Sequence, residues 1–234
     1  MSNKTKENQK HNVQFWHLCT PGKLQSLLFR ERSDYVEGMN MVALSAYKFS
    51  QSVGIYVFEL MSNHFHFVIE ARREAFYHDY FSRLRRFLGR QGRAQELNGI
   101  SYSLIPVDNE TYLRHLIAYV HRNAFLVNSS CSPFSWLWGT NAHIFSSLEP
   151  YLHKTSLNTI ALRTKQEMFH SREVNFPSNY YLINSVEKEG FTSGYISPAC
   201  YCKIAECEKL FRNAHQYYFN ITRKVESFSD IARE

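Results

Sequence analysis

The chain has 234 residues, with 27 Lys and Arg against 21 Asp and Glu and a formal net charge of +6 at pH 7. Hydrophobic residues at 44% and aromatic residues at 15% suffice for a packed core and exclude general disorder. The sequence contains no apolar run of about 18 residues, so a bilayer-spanning segment is excluded and nucleic acid is the favoured polyanionic partner. The length fits either one large domain or a catalytic domain with an appendage, and two units of unequal size are favoured.

The N-terminal residues 1–12 are polar and lack the apolar stretch of a secretion signal. We therefore predict a disordered tail on an intracellular protein. The five cysteines fit a reducing compartment, because their number is odd. Cys200, Cys202 and Cys207 cluster, but their spacing lacks a CxxC pair and a zinc site there would need a fourth ligand such as His215. Reduced structural thiols are favoured over zinc.

Residues 14–18 resemble a short strand, and residues 33–52 carry apolar side chains at helical intervals. The next segment, 55–71, reads IYVFELMSNHFHFVIEA. Two runs rich in β-branched and aromatic residues flank a polar turn in this segment, which predicts a β-hairpin.

A pair of histidines, His64 and His66, lies on the second strand of this hairpin. Side chains alternate along a strand, so both rings share one face about 7 Å apart at the backbone, while the intervening phenylalanines face a core. Neutral imidazole is a good ligand for a divalent metal ion. Such a pair is more often packed or exposed than metal-bound, so both interpretations stay open.

An arginine-rich helix is predicted over 76–91, with its apolar side chains inward. Five arginines on or just beyond it are candidates for contact with a DNA backbone, namely Arg83, Arg85, Arg86, Arg90 and Arg93. The alternative is a solvated helix face without a partner.

A further helix is predicted from residue 109 or 110 to about Leu126. Tyr119 and Asn123 lie one turn apart on it and share a face. The Asn123 carboxamide oxygen could bind a metal ion while the Tyr119 phenol faces the same phosphate. Taken alone, Tyr119 is more often an ordinary half-buried aromatic residue, because phenols are weak nucleophiles at their usual pKa of about 10.

We predict that the remaining residues, 150–234, form a mainly helical C-terminal extension. Its longest helix is predicted over 203–225. It could grip DNA, contact a partner or brace the catalytic domain. Bracing is the favoured role.

The segments YVFELMSNHFHFV (56–68) and YVHRN (119–123) resemble the two motifs of the single-tyrosine HUH transposases, particularly the REP-associated tyrosine transposases. The resemblance spans roughly 13–145. It implies an α+β fold in which helices pack on a central antiparallel sheet, of the ferredoxin-like or RRM-like type. The catalytic domain would cover 13–149.

The resemblance also implies a function. His64, His66 and Asn123 would bind Mg²⁺ or Mn²⁺, and Tyr119 would nick single-stranded or hairpin DNA through a 5′-phosphotyrosine during DNA transposition. It implies a bacterial, nucleoid-associated cytoplasmic protein, with monomer and homodimer both open.

Two other functions stay open. Ala124 stands where the family usually has proline, which is compatible with a catalytically inactive, domesticated DNA- or RNA-binding protein. A metal-dependent hydrolase would instead use the histidine pair to activate water.

Overall fold

The computed structural model describes residues 14–22, 26–70, 74–127, 132–146, 153–172, 174–188 and 191–222. The tail predicted at residues 1–12 lies outside this set. No helix within it is long and apolar enough to cross a membrane.

The first part of the chain alternates strands and helices around one sheet. Its elements are β1 (Phe15–Cys19), α1 (Arg32–Lys48), β2 (Gly54–Leu60), β3 (Phe65–Glu70), α2 (Glu74–Arg90), a 3-10 helix (Ala94–Leu97) and β4 (Ser103–Val107). The four strands pair antiparallel in the order β2-β3-β1-β4. The predicted α+β class and central antiparallel sheet are confirmed, as is the hairpin, which β2 and β3 form.

One face of the sheet is covered by α1 and α2. Alternation along β3 turns Phe65, Phe67 and Ile69 toward this side, where they are fully buried with Phe58 of β2 and Tyr80 of α2. Burying a side chain of this size contributes about 1.5–3 kcal/mol, and a register slip of one residue would expose the whole set. The hydrophobic pattern of β3 therefore places the histidine pair on the opposite face of the sheet.

The other face of the sheet is covered by α3 (Glu110–Val127), whose Val120 packs in a second core with Val68 of β3. The helix starts at the predicted place. Asn109 Oδ1 accepts the backbone N–H of Tyr112 at 2.8 Å, which satisfies one of the N-terminal donors of the helix. The sheet is thus sandwiched between α3 and the α1–α2 pair.

The C-terminal region contains a second sheet as well as helices. Its elements are β5 (Lys154–Ser156), a 3-10 helix (Leu157–Thr159), α4 (Leu162–Phe169), β6 (Tyr181–Lys188), β7 (Phe191–Ile196), a 3-10 helix (Pro198–Cys200), α5 (Ile204–Glu208) and α6 (Ala214–Thr222). The three strands pair antiparallel in the order β5-β6-β7. The prediction of a mainly helical region did not include this sheet, although aromatic and β-branched residues near Tyr181 favour a strand.

The single helix predicted over 203–225 is wrong, because the described part of this segment, up to residue 222, holds the two short helices α5 and α6. Asn213 starts the second helix, since its Oδ1 accepts the backbone N–H of Gln216 at 2.9 Å. Cys207 is buried in the core under α3, and Cys200 and Cys202 are partly buried; none of the three is in a disulfide.

The C-terminal region is bonded to the first sheet and its helices. The Asn40 side chain of α1 donates to Gly194 O and accepts from Ile196 N, both at 3.0 Å. Lys203 N donates to Ile55 O of β2 at 2.8 Å. These bonds join the C-terminal region to α1 and to β2.

A candidate metal and tyrosine site

The four residues singled out from the two sequence motifs meet between β3 and α3. The ring centroids of His64 and His66 are 5.0 Å apart, and those of His66 and Tyr119 are 5.5 Å apart. Asn123 is buried one helical turn beyond Tyr119, and its side chain lies beside His64. The strand and the helix of one chain therefore bring the two motifs together.

Carboxamide oxygens face the His64 ring from two sides. Asn63 Nδ2 donates to Gly22 O at 2.9 Å, which directs Asn63 Oδ1 to His64 Nδ1 at 2.7 Å. Asn123 Nδ2 donates to Tyr119 O at 3.1 Å, which leaves Asn123 Oδ1 to face His64. A neutral imidazole has one N–H and one lone pair for these two acceptors. A cation shared by His64 and Asn123 would stabilise this arrangement.

His17 of β1 belongs to the same cluster, although the sequence analysis did not single it out. Its Nε2 lies 3.0 Å from His66 Nδ1, and the two rings are stacked with centroids 5.2 Å apart. His66 Nε2 is buried and has no hydrogen-bond partner. When a histidine binds a metal through one nitrogen, its other nitrogen commonly donates a hydrogen bond that fixes the ring. His66 has this environment.

Burial keeps all three imidazoles neutral. It lowers the pKa of His17 and of His64 to about 4 each. It also lowers the pKa of His66 well below the usual value, with smaller contributions from His17 and His64. Neutral imidazole is the form that binds metal ions, so the donor set of the site fits a divalent cation.

A second group of ligand atoms overlaps this site. His17, Cys19 and His66 each place one ligating atom within 4.8 Å of the others, so this group could also bind a metal. The sequence carried a signal for it, since His17 and Cys19 form an i, i+2 pair on a strand in the same way as His64 and His66. Register completes the group, because Cys19 lies opposite His66.

A buried carboxyl group, Glu59 of β2, lies opposite His66 in the sheet register. It accepts a hydrogen bond from Asn141 Nδ2 at 3.3 Å. Burial raises the pKa of Glu59 well above its usual value and outweighs the opposing effects of Asn141 and of the backbone N–H groups of Ala124 and Asn123. Its Oε2 has no partner. Nothing in the sequence indicated a role for Glu59, because a single acidic residue in a predicted strand is usually a solvent-exposed residue.

The Tyr119 phenol is half-buried at the edge of this cluster. Burial raises its pKa, with smaller contributions in the same direction from Cys19 and Glu59. The phenol is therefore protonated in the protein as described, and a nearby positive charge would be needed to favour the phenolate.

The five predicted DNA-contacting arginines lie away from this cluster, because α2 packs on the opposite face of the sheet. Arg83 and Arg86 line a cavity of about 530 Å³ between α2 and α4, together with Lys48 and Arg172. Arg93 differs from the others. It is buried, with its guanidinium 3.2 Å from Asp34 and 3.1 Å from Leu28 O, so we assign it to the fold.

The other arginines make surface contacts. Arg83 is paired with Asp79 at 2.7 Å, and Arg90 lies 3.8 Å from Glu37. Arg85 stacks over the Phe81 ring at 5.7 Å. Together with Arg86, which lines the cavity, these three arginines form a basic surface on the far side of the sheet.

Comparison with known proteins gives one structural likeness. The chain is similar in structure to a tyrosine transposase. The solved structure is that of a REP-associated tyrosine transposase bound to a REP hairpin, with a TM-score of 0.41 and 15% identity over 60% of this chain and 82% of that chain. No family model and no curated protein matches the chain.

Proposed function

We propose that the chain is a metal-dependent nickase and strand transferase for single-stranded DNA, of the single-tyrosine HUH type. The observation that carries this proposal is the convergence of His64, His66, Asn123 and Tyr119 between one strand and one helix. The element order β1-α1-β2-β3-α2-β4 and the strand order β2-β3-β1-β4 support a ferredoxin-like catalytic domain over 13–149.

In this proposal, His64, His66 and Asn123 hold a Mg²⁺ or Mn²⁺ ion. The neutral imidazoles, the partnerless Nε2 of His66 and the inward-facing Asn123 oxygen support this assignment. When bound, such an ion supplies positive charge beside the scissile phosphate and the phenol. His17 acts as a positioning residue, because its Nε2 holds His66 Nδ1 and so directs His66 Nε2 into the site.

Tyr119 is the proposed nucleophile. Its phenol oxygen forms a bond to phosphorus while the bond from phosphorus to the 3′ oxygen breaks. The phenol loses its proton and the released 3′ oxygen gains one, so the products are a 5′-phosphotyrosine and a free 3′-OH. A second 3′-OH can reverse the step and join the strands, because the phosphodiester energy is kept in the covalent adduct.

The proposed DNA partner is a single strand that carries a hairpin. In transposition, this hairpin would mark the end of the DNA that is moved. Arg83, Arg85, Arg86 and Arg90 are proposed to contact the backbone of the paired part. The sheet separates these arginines from Tyr119, so a DNA molecule that meets both must pass an edge of the sheet. The site is built from one chain, so the proposed chemistry does not require a second copy.

The test is covalent capture of DNA in the presence of Mn²⁺. A pool of single-stranded oligonucleotides, with and without a hairpin, is labelled at the 3′ end in one arm and at the 5′ end in the other. A 5′-phosphotyrosine transfers only the 3′ label to the protein. Tyr119→Phe should abolish this transfer, while Tyr112→Phe on the same helix should retain it.

The alternatives give different results in the same assay. Cleavage that survives Tyr119→Phe and leaves no adduct would show a metal-dependent hydrolase. If the wild type and Tyr119→Phe both bind the oligonucleotides and neither cleaves them, the chain is an inactive DNA-binding protein. This result would contradict the proposed reaction.

A further inference from the structure

The two nitrogens of His66 face different neighbours. Nδ1 lies 3.0 Å from His17 Nε2, on the side of β1. Nε2 is buried without a partner and is the nitrogen proposed to bind the ion of the nicking reaction. His66 is therefore the common residue of two groups of ligands.

The group on the β1 side has a donor set of two imidazoles and one thiol. The ligating atoms of His17, Cys19 and His66 all lie within 4.8 Å of one another. Sulfur together with imidazole selects Zn²⁺ and related ions such as Co²⁺ over the harder Mg²⁺ and Mn²⁺. Two nitrogens bound to one tetrahedral zinc ion lie about 3.3 Å apart, close to the separation of His17 and His66.

We propose that His17 Nε2, Cys19 Sγ and His66 Nδ1 form a second metal site, specific for a thiophilic ion of the zinc class. On binding, the Cys19 thiol loses its proton and becomes a thiolate ligand. Both imidazoles stay neutral, with their protons on His17 Nδ1 and His66 Nε2. The fourth position of the ion is left to water or another small ligand.

Occupation of this site excludes the ion of the proposed nicking reaction, a consequence that rests on the proposed function. A neutral imidazole has one lone pair, so His66 cannot bind one ion through Nδ1 and another through Nε2. Once Nδ1 is bound, Nε2 carries a proton that points into the nicking site. Ions of the zinc class should therefore inhibit the protein by competition at His66.

The first experiment is a Co²⁺ titration of the full chain. The readout is the sulfur-to-cobalt charge-transfer absorption band in the near ultraviolet. We expect the band in the wild type and in His64→Ala, which disrupts only the proposed nicking site. It should be lost in Cys19→Ser and Cys19→Ala, and kept in the matched control Cys200→Ser. Circular dichroism verifies that each variant is folded. Absence of the band from the wild type, or its persistence in folded Cys19→Ser, overturns the proposal.

The second experiment measures Mn²⁺ binding by electron paramagnetic resonance while Zn²⁺ is added. One equivalent of Zn²⁺ should release Mn²⁺ from the wild type but not from Cys19→Ser. Release from both proteins overturns the exclusion through His66. A cobalt band in a protein that binds no Mn²⁺ would support the thiophilic site and contradict the proposed function, so the two failures are distinguishable.

Discussion

Asn141 Nδ2 donates to Glu59 Oε1 at 3.3 Å and to His121 O at 3.0 Å, so one buried amide joins a carboxyl group of β2 to the turn of α3 that carries Tyr119. An α-helix normally pairs the N–H groups of residues 123 and 124 with the carbonyls of Tyr119 and Val120. In this protein the Asn123 side chain also donates to those two carbonyls, at 3.1 and 3.2 Å. The side-chain amides of Asn123 and Asn141 thus both add bonds to the same helical turn, and the Asn141 amide links that turn to Glu59.

Replacement of Glu59 tests this support. Glu59→Ala removes the acceptor of the buried Asn141 bond together with most of a buried side chain, and we expect it to lower the free energy of unfolding by about 2–4 kcal/mol. Glu59→Gln keeps one carbonyl oxygen at this place and should cost much less. Urea unfolding measures both values, and equal losses in the two variants would show that side-chain volume alone matters at this position.

His17 should control metal affinity through its contact with His66. We expect His17→Ala to weaken Mn²⁺ binding by about 10–100-fold, because a supporting hydrogen bond to a ligand histidine is lost. His17→Gln offers a polar group in its place and should recover part of the affinity. Calorimetric titration measures both, and unchanged Mn²⁺ affinity in a folded His17→Ala protein would remove His17 from the positioning role.

Local periodicity predicted the β2–β3 hairpin and the grouping of side chains within each motif, whereas β4 was not predicted and the meeting of the two motifs was implied by the family resemblance. Alternation along β3 separates Phe65 and Phe67 from His66, and helical spacing puts Tyr119 beside Asn123. These relations hold within single elements, so the chain order reveals them.

The remaining residues of the site depend on register between elements that lie far apart in sequence. His17 meets His66 across 49 residues, and Glu59 meets Asn141 across 82 residues. No periodicity within one element encodes such contacts. Arg93 shows the same limit, because its position beyond α2 appears exposed in the sequence, whereas Asp34 and the Leu28 carbonyl hold it in the interior.

Asp79 offers a test of the basic surface on α2. Its carboxylate is paired with Lys48 at 2.6 Å and with Arg83 at 2.7 Å. Asp79→Asn removes a negative charge next to both cations, so we expect tighter DNA binding and a steeper dependence of affinity on salt. Fluorescence anisotropy with a hairpin oligonucleotide measures both, with Glu167→Gln on α4 as a charge-matched control. If affinity rises equally in the two variants, net charge rather than the α2 surface controls binding.

The same carboxylate makes a pH-dependent contribution to stability. Burial opposes ionisation of Asp79, but hydrogen bonds from Lys48, Arg83 and Ser45 outweigh it and lower its pKa. Because the folded pKa lies below the unfolded one, the contribution is present above the usual Asp pKa and is lost as pH falls through the folded pKa. Wild type should therefore exceed Asp79→Asn in stability at neutral pH, by about 1 kcal/mol, with the difference vanishing in acid.

Tyr217 tests whether the C-terminal region braces the site. Its hydroxyl lies 2.8 Å from His121 Nδ1, and His121 Nε2 lies 2.8 Å from Thr140 Oγ1, so α6 is bonded through a buried histidine of α3 to the segment beside β2. Burial lowers the pKa of His121 to about 3, so this ring is neutral and needs a partner for each nitrogen. Tyr217→Phe leaves one nitrogen unpaired, and we expect a loss of about 1–3 kcal/mol in the free energy of unfolding. Tyr218→Phe on the same helix removes a partly buried bond to Phe145 O and should cost less.

If α6 braces the site, Tyr217→Phe should also weaken Mn²⁺ binding, because His121 lies between Tyr119 and Asn123 on α3. A stability loss without any change in Mn²⁺ affinity would confine the brace to the core beneath the helix.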